Sequence, residues 1–189
     1  LPPEVNIDHL SSAIDMAFTG SSRVSALVVL YEGRLIGEQY APWASKDSLL
    51  ENWSMGKSLT ATLIGRLILD GHFNLDDPAP VPEWRSENDP RRLIRISDLL
   101  RMSSGLQFTL ENTAERGIVP EGYPDHRYVY SGAVDVFQYV TSRPLQYEPN
   151  TIGRYRNTDP LTLGNIIRNT VEGLGQNYLT FPQRSLFDE

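Results

Sequence analysis

The spacing of apolar residues shifts repeatedly along the chain. Over residues 8–18, Leu10, Ile14 and Phe18 fall on one face, which predicts a short amphipathic helix. Ser25-Ala26-Leu27-Val28-Val29-Leu30-Tyr31 is then rich in aliphatic and β-branched residues. Glu32-Gly33 supplies a turn and Arg34-Leu35-Ile36-Gly37-Glu38-Gln39-Tyr40 follows, predicting an antiparallel hairpin. Two strands alone are marginal, so the hairpin expects further partners, and no later segment reads as one. From residue 54 to 70 the period becomes helical, with Leu59, Leu63, Ile64, Leu67 and Ile68 on one stripe and Gly71 as a stop. Asn74-Leu75-Asp76-Asp77-Pro78, with Pro80 and Pro82, marks a loop. A second helix is predicted over residues 96–102 with Ser97 as its cap. Residues 106–130 lack periodicity and read as a long surface loop, a kind of segment that is usually functional. Residues 132–141, 160–171 and 176–186 are three more helix candidates.

This order predicts a mixed α/β (α+β) fold. Residues 1–52 begin a sheet domain, residues 53–189 form a helical lobe, and the sheet is expected to be completed by residues not in this chain. Composition narrows the function classes. Of 189 residues, 40% are hydrophobic and 22% charged, so a packed core is expected. The formal net charge of −7 argues against a nucleic-acid partner, whose phosphates need a basic face. The longest apolar run, around Ala26-Leu27-Val28-Val29-Leu30, is far too short for a membrane span. The absence of cysteine rules out thiolate metal sites and fits a periplasmic or secreted setting as well as the cytosol. His9, His72 and His126 are scattered without ligand spacing, so no metal is expected. Nor is there a glycine-rich phosphate loop, and no cofactor is expected. Arg91-Arg92 with Arg95 reads as a solvated helix start, and Trp43, Trp53 and Trp84 as core or cleft-lining residues.

The candidate chemistry lies at the head of the most apolar helix. Ser54-Met55-Gly56-Lys57 sets a hydroxyl and an amine three residues apart, and side chains at that spacing share a helix face. A serine hydroxyl becomes a good nucleophile only when a neighbouring base takes its proton. An amine serves as that base where a helix dipole and burial disfavour its charged form. From spacing alone, Ser54 as an N-cap with Lys57 as a solvated first-turn residue fits equally well.

The wider text carries a resemblance. Trp53-Ser54-Met55-Gly56-Lys57-Ser58-Leu59-Thr60 resembles the active-site segment of the class C β-lactamase and penicillin-binding protein superfamily, which also holds esterases, D-amino-acid peptidases and 6-aminohexanoate-dimer hydrolases. Tyr31-Glu32-Gly33-Arg34-Leu35 and Glu38-Gln39-Tyr40 look like its first hairpin. Ile96-Ser97-Asp98-Leu99-Leu100-Arg101-Met102-Ser103-Ser104-Gly105-Leu106 is similar to a segment that recurs in these hydrolases. The likeness implies a β-lactamase/transpeptidase-like fold, an antiparallel sheet flanked by helices plus a helical lobe. It makes Ser54 the nucleophile and Lys57 its neighbouring base. The family's Tyr-x-Asn motif matches Tyr155-Arg156-Asn157, followed by Leu163-Gly164-Asn165-Ile166-Ile167 as the expected helix. Tyr155 would then be a base or proton shuttle whose anion Lys57 stabilises, the two acting as a coupled pair. Asn157 would bond a substrate amide or hold Lys57, and Arg156, with the loop 106–130, would meet the substrate. Arg156 departs from the small residue usual at its position, and Pro149-Asn150 from a common Pro-Gly. Tyr130-Ser131-Gly132 is a rival tyrosine motif without the asparagine.

The superfamily's third motif, Lys/His-Ser/Thr-Gly on a later strand, does not occur, and a missing C-terminal half is expected to supply it. The resemblance thus implies a serine hydrolase forming an acyl-enzyme on Ser54, acting on a small ester, amide, peptide or β-lactam. A catalytically silent binding module on the same fold is the alternative.

Overall fold

The computed structural model describes residues 1–21, 23–109, 125–133 and 135–188, and the chain divides into two compact units, Leu1–Asn52 and Trp53–Glu189. In the first, α1 (Ile7–Ala17) starts at Asn6, whose side chain accepts a hydrogen bond from the His9 N–H and so satisfies one unpaired helix-end donor. β1 (Ala26–Tyr31) and β2 (Arg34–Tyr40) pair antiparallel, from Ala26 opposite Tyr40 to Tyr31 opposite Arg34. Glu32 and Gly33 both take positive φ, 46° and 76°, the turn geometry whose twist matches a two-residue hairpin. The register slips by one between Val29 and Leu30, a bulge that bends β2. At Gly37 an added Cβ would stand 2.7 Å from Ile14 Cδ1, so the absence of a side chain lets α1 lie close on β2. The helix and hairpin thus form where the apolar pattern predicts them, and among the described residues the sheet has two strands.

In the second unit, Leu63, Ile64 and Leu67 of α2 (Gly56–Leu69) meet Leu163, Ile166, Ile167 and Val171 of α6 (Thr158–Gly173) in one core. Ile96 and Leu99 of α3 (Ile96–Leu100) join it, with Val81, Trp84 and Ile94 from the connecting loop. These residues are spaced by three and four on each helix, which is what directs one stripe inward. Trp84 is buried with its indole N–H donated to the Thr141 carbonyl at 2.8 Å, so its one polar atom is satisfied. α2 ends on Gly71 at φ 80°, with the His72 N–H bonded to the Leu67 carbonyl, a left-handed stop that suits glycine.

Several expectations change here. Ser97 does not cap α3: Arg95 holds the N-cap position, and the Asp98 carboxylate accepts the Arg95 N–H at 3.0 Å. Ser97 lies buried inside the helix, its hydroxyl donating to Asp76. Arg91 is not solvated either. It pairs with Asp89 and donates to the Thr141 and Arg143 carbonyls at 2.9 and 3.0 Å, tying the loop to α5 (Val136–Thr141). Arg95 pairs with Asp98 and Asp76. The helix predicted over 132–141 begins only at Val136, capped by Asp135 on the Gln138 N–H. Within the predicted loop 106–130, residues 125–130 belong to α4 (Asp125–Ser131), while 110–124 lie outside the described residues. The last predicted helix divides into a 3-10 turn, Tyr178–Thr180, and a π turn, Gln183–Phe187.

Candidate active site

Ser54 sits in a single 3-10 turn, Trp53–Met55, immediately before α2. Trp53 takes φ 41°, a left-handed torsion that is unusual for a bulky side chain and turns the chain sharply into the helix. The N-cap of α2 is Met55, which makes no capping bond, so Ser54 does not serve as the helix cap. Its Oγ instead accepts from Lys57 Nζ at 3.2 Å and from Tyr155 Oη at 2.5 Å. Lys57 Nζ also donates to Asn157 Oδ1 at 2.8 Å and lies 4.8 Å from the centroid of the Tyr155 ring. One hydroxyl, one amine, one phenol and one amide therefore converge at the head of one helix.

The segment carrying Tyr155 and Asn157 is positioned by the chain that leaves α3. Met102, at φ 54°, ends that helix, with the Ser103 N–H bonded to the Asp98 carbonyl. The next residues then act as a backbone strut. Arg154 N–H donates to the Met102 carbonyl at 3.0 Å, Asn150 N–H to Ser103 at 2.7 Å, and Gln146 and Tyr147 N–H to Gly105 at 2.8 and 3.1 Å. Gly105 is at φ 79°, and a Cβ there would run into the Tyr147 carbonyl, so neither the torsion nor the space admits a side chain. Asn150, standing where a Pro-Gly is common, adopts φ 63°, a torsion asparagine tolerates better than most residues.

Burial alternates along this segment, which separates the roles of its residues. Tyr155 is 61% exposed, whereas Arg156 is 1% exposed and turned inward. Arg156 Nη1 donates to the Leu106 carbonyl at 2.6 Å and Nε to the Arg154 carbonyl at 3.1 Å. The Arg156 guanidinium thus braces the backbone beneath the site. Sequence reasoning also missed Asp159, fully buried in the first turn of α6, whose carboxylate accepts from the Ser104 hydroxyl at 2.7 Å and the Ser104 N–H at 3.3 Å. Burial pushes the Asp159 carboxyl up to about 6, against the pull of the Arg156 charge and the Ser104 bonds. Its only mark in the sequence is an acidic residue at the start of an apolar helix.

The hydrogen bond with Ser54, then that with Lys57, holds the Tyr155 phenol below its ordinary value, with partial burial opposing. Beside these groups lies a cleft of about 280 Å³ lined by Trp53, Ser54, Phe108, Tyr130, Tyr155, Arg156 and Asn157. Tyr130, the rival tyrosine, forms part of its wall, 6.0 Å from Trp53 in an edge-on arrangement. Among the described residues no cluster of His, Asp or Glu has the makings of a metal site, and no helix is long and apolar enough to cross a membrane.

Fold and sequence together define a β-lactamase-like α/β protein. The β-lactamase family profile matches residues 16–189, and the chain belongs to that family. Two solved structures share the fold. A Bacillus anthracis protein described as a 6-aminohexanoate-dimer hydrolase aligns with a TM-score of 0.63 at 18% identity, over 89% of this chain and 44% of its own. A Bacteroides dorei protein described as a β-lactamase aligns at 0.63 and 20% identity, over 90% of this chain and 46% of its own. The present chain thus spans less than half of either relative.

Proposed function

We propose that this protein is a serine hydrolase that forms an acyl-enzyme on Ser54 and cleaves ester or amide bonds. The observation that carries this reading is the double engagement of Ser54 Oγ, by Tyr155 Oη at 2.5 Å and Lys57 Nζ at 3.2 Å. Both lie within or near the reach a general base needs. Tyr155, as phenolate, takes the Ser54 proton while Oγ attacks the substrate carbonyl. The Oγ–acyl bond forms, the bond to the alcohol or amine breaks, and the proton passes through Tyr155 to the leaving group. Water then attacks the acyl-enzyme, giving its proton to the same phenolate, and Ser54 leaves as the restored hydroxyl. Lys57 stabilises the phenolate through its bonds and charge, and Asn157 fixes the lysine between its partners. The Ser54 N–H, at the positive end of α2, is the donor offered to the developing oxyanion.

The test is intact mass before and after incubation with an activated phosphonate ester. One adduct per chain is expected, and none in Ser54→Ala. An unmodified wild-type protein that still binds small esters or amides would turn the reading towards a silent binding module.

A further inference from the structure

The cleft beside Ser54 has a composition that selects among acyl groups, and the inference drawn from it rests on the hydrolase reading above. Its walls are aromatic: Trp53 and Tyr130 are 70% and 66% exposed, and with Phe108 and Tyr155 they enclose one side of the nucleophile. Among the described residues no acidic side chain lines it. Two cations stand at or beside it among the described residues, and both are engaged: Lys57 is bonded to Ser54 and Asn157, and the guanidinium of Arg156, which lines the cleft, donates to backbone carbonyls. A carboxylate entering here would lose water and meet ring faces and cations already held by other partners, whereas a neutral ring would gain edge and face contacts. The volume of about 280 Å³ lies just below the usual range of ligand clefts, about 300 to 1,000 Å³, and is ample for a ring-sized group.

Trp53 makes the acyl half of the substrate the better occupant. It is the residue immediately before Ser54, and its left-handed torsion sets the indole beside the turn that carries Oγ. An acyl group stays attached to Oγ through both half-reactions and remains against this wall, while the leaving group departs after the first. We infer that Trp53 and Tyr130 form an acyl subsite for a neutral aromatic group, and that the protein favours arylacyl esters or amides over those whose acyl part bears a carboxylate.

Three 4-nitrophenyl esters sharing one leaving group test this in the full-length protein: acetate, phenylacetate and hemisuccinate. The expected kcat/KM for phenylacetate exceeds that for acetate by about 10-fold, with hemisuccinate below both. The phenylacetate-to-acetate ratio should fall towards one in Trp53→Gly, which relieves the backbone torsion while removing the ring, and in Tyr130→Ala. Trp53→Phe should keep most of it. A ratio near one in the parent protein, a ratio untouched by both ring deletions, or a preference for hemisuccinate would each overturn the inference. Ser54→Ala separates this from the hydrolase reading. Saturation transfer to phenylacetamide in that variant, weakened by adding Tyr130→Ala, supports the subsite even where no ester is turned over. No transfer in either background overturns it.

Discussion

At the scale of single residues, the informative feature is how four side chains from two distant stretches form one hydrogen-bonded group around the Ser54 hydroxyl. Tyr155 and Ser54 are 101 positions apart, and Asn157 and Lys57 are 100 apart. No local pattern links them; the resemblance to a known motif brought them together on paper, and the backbone strut from Met102 to Gly105 does so in space. The arrangement sets an expected pH profile. A phenolate base works only once its proton is gone, so kcat/KM should rise with pH through the Tyr155 transition. The bonds to Ser54 and Lys57 lower that transition, so the rise should come below the ordinary phenol value of about 10. Lys57→Met removes the charge and one of the bonds, which should move the rise to higher pH, and Tyr155→Phe should abolish it with a loss of about 10²-fold or more. A pH series on all three proteins decides this. That the Arg156 guanidinium is buried and bonded to the Leu106 and Arg154 carbonyls was not legible, because both of those partners are backbone groups that no side-chain pattern marks.

Among elements, those with a strong period were legible and those decided by a single polar contact were not. The hairpin, α2 and the middle of α6, residues 160–171, follow from spacing and from Glu32-Gly33 and Gly71 as punctuation. The start of α3 did not, because Ser97 is a good cap by type and Asp98 outcompetes it with a carboxylate one residue later. α6 begins before its proline, and its first turn buries Asp159 against Ser104, joining the helix to the end of α3. That junction gives a stability test. In the unfolded chain Asp159 titrates near 3.9, and in the folded protein at about 6, so the folded state holds the proton more tightly between those values. The contribution is fully present below about pH 4 and is lost as pH rises through 6. Urea unfolding from pH 4 to 7 should show this falling component, and Asp159→Asn, which cannot ionise, should remove it. An unchanged slope in the variant would mean that other groups set the pH dependence.

For the molecule as a whole, burial is unevenly shared between the two units. The second holds the whole hydrophobic core cluster, with Ile64, Ile96, Ile94 and Val81 at zero exposure, whereas Ala41 is the one buried apolar residue of the first among those described. Amides of α2 and α6 should therefore exchange most slowly in native-state hydrogen exchange, and those of β1 and β2 should open at lower free energy, since a two-stranded sheet has little apolar area to resist opening. Ile64→Ala should lower the α2 and α6 protection by about 2–5 kcal/mol while leaving the hairpin amides unchanged. Finally, the left-handed torsion at Trp53 bears on how this protein would drift under selection. A glycine at that position would relieve strain worth about 1 kcal/mol, so a population screened only for heat tolerance would find position 53 early. With the proposed aromatic wall gone, its survivors would be sturdier and less discriminating, so heat tolerance and acyl selectivity would pull position 53 in opposite directions.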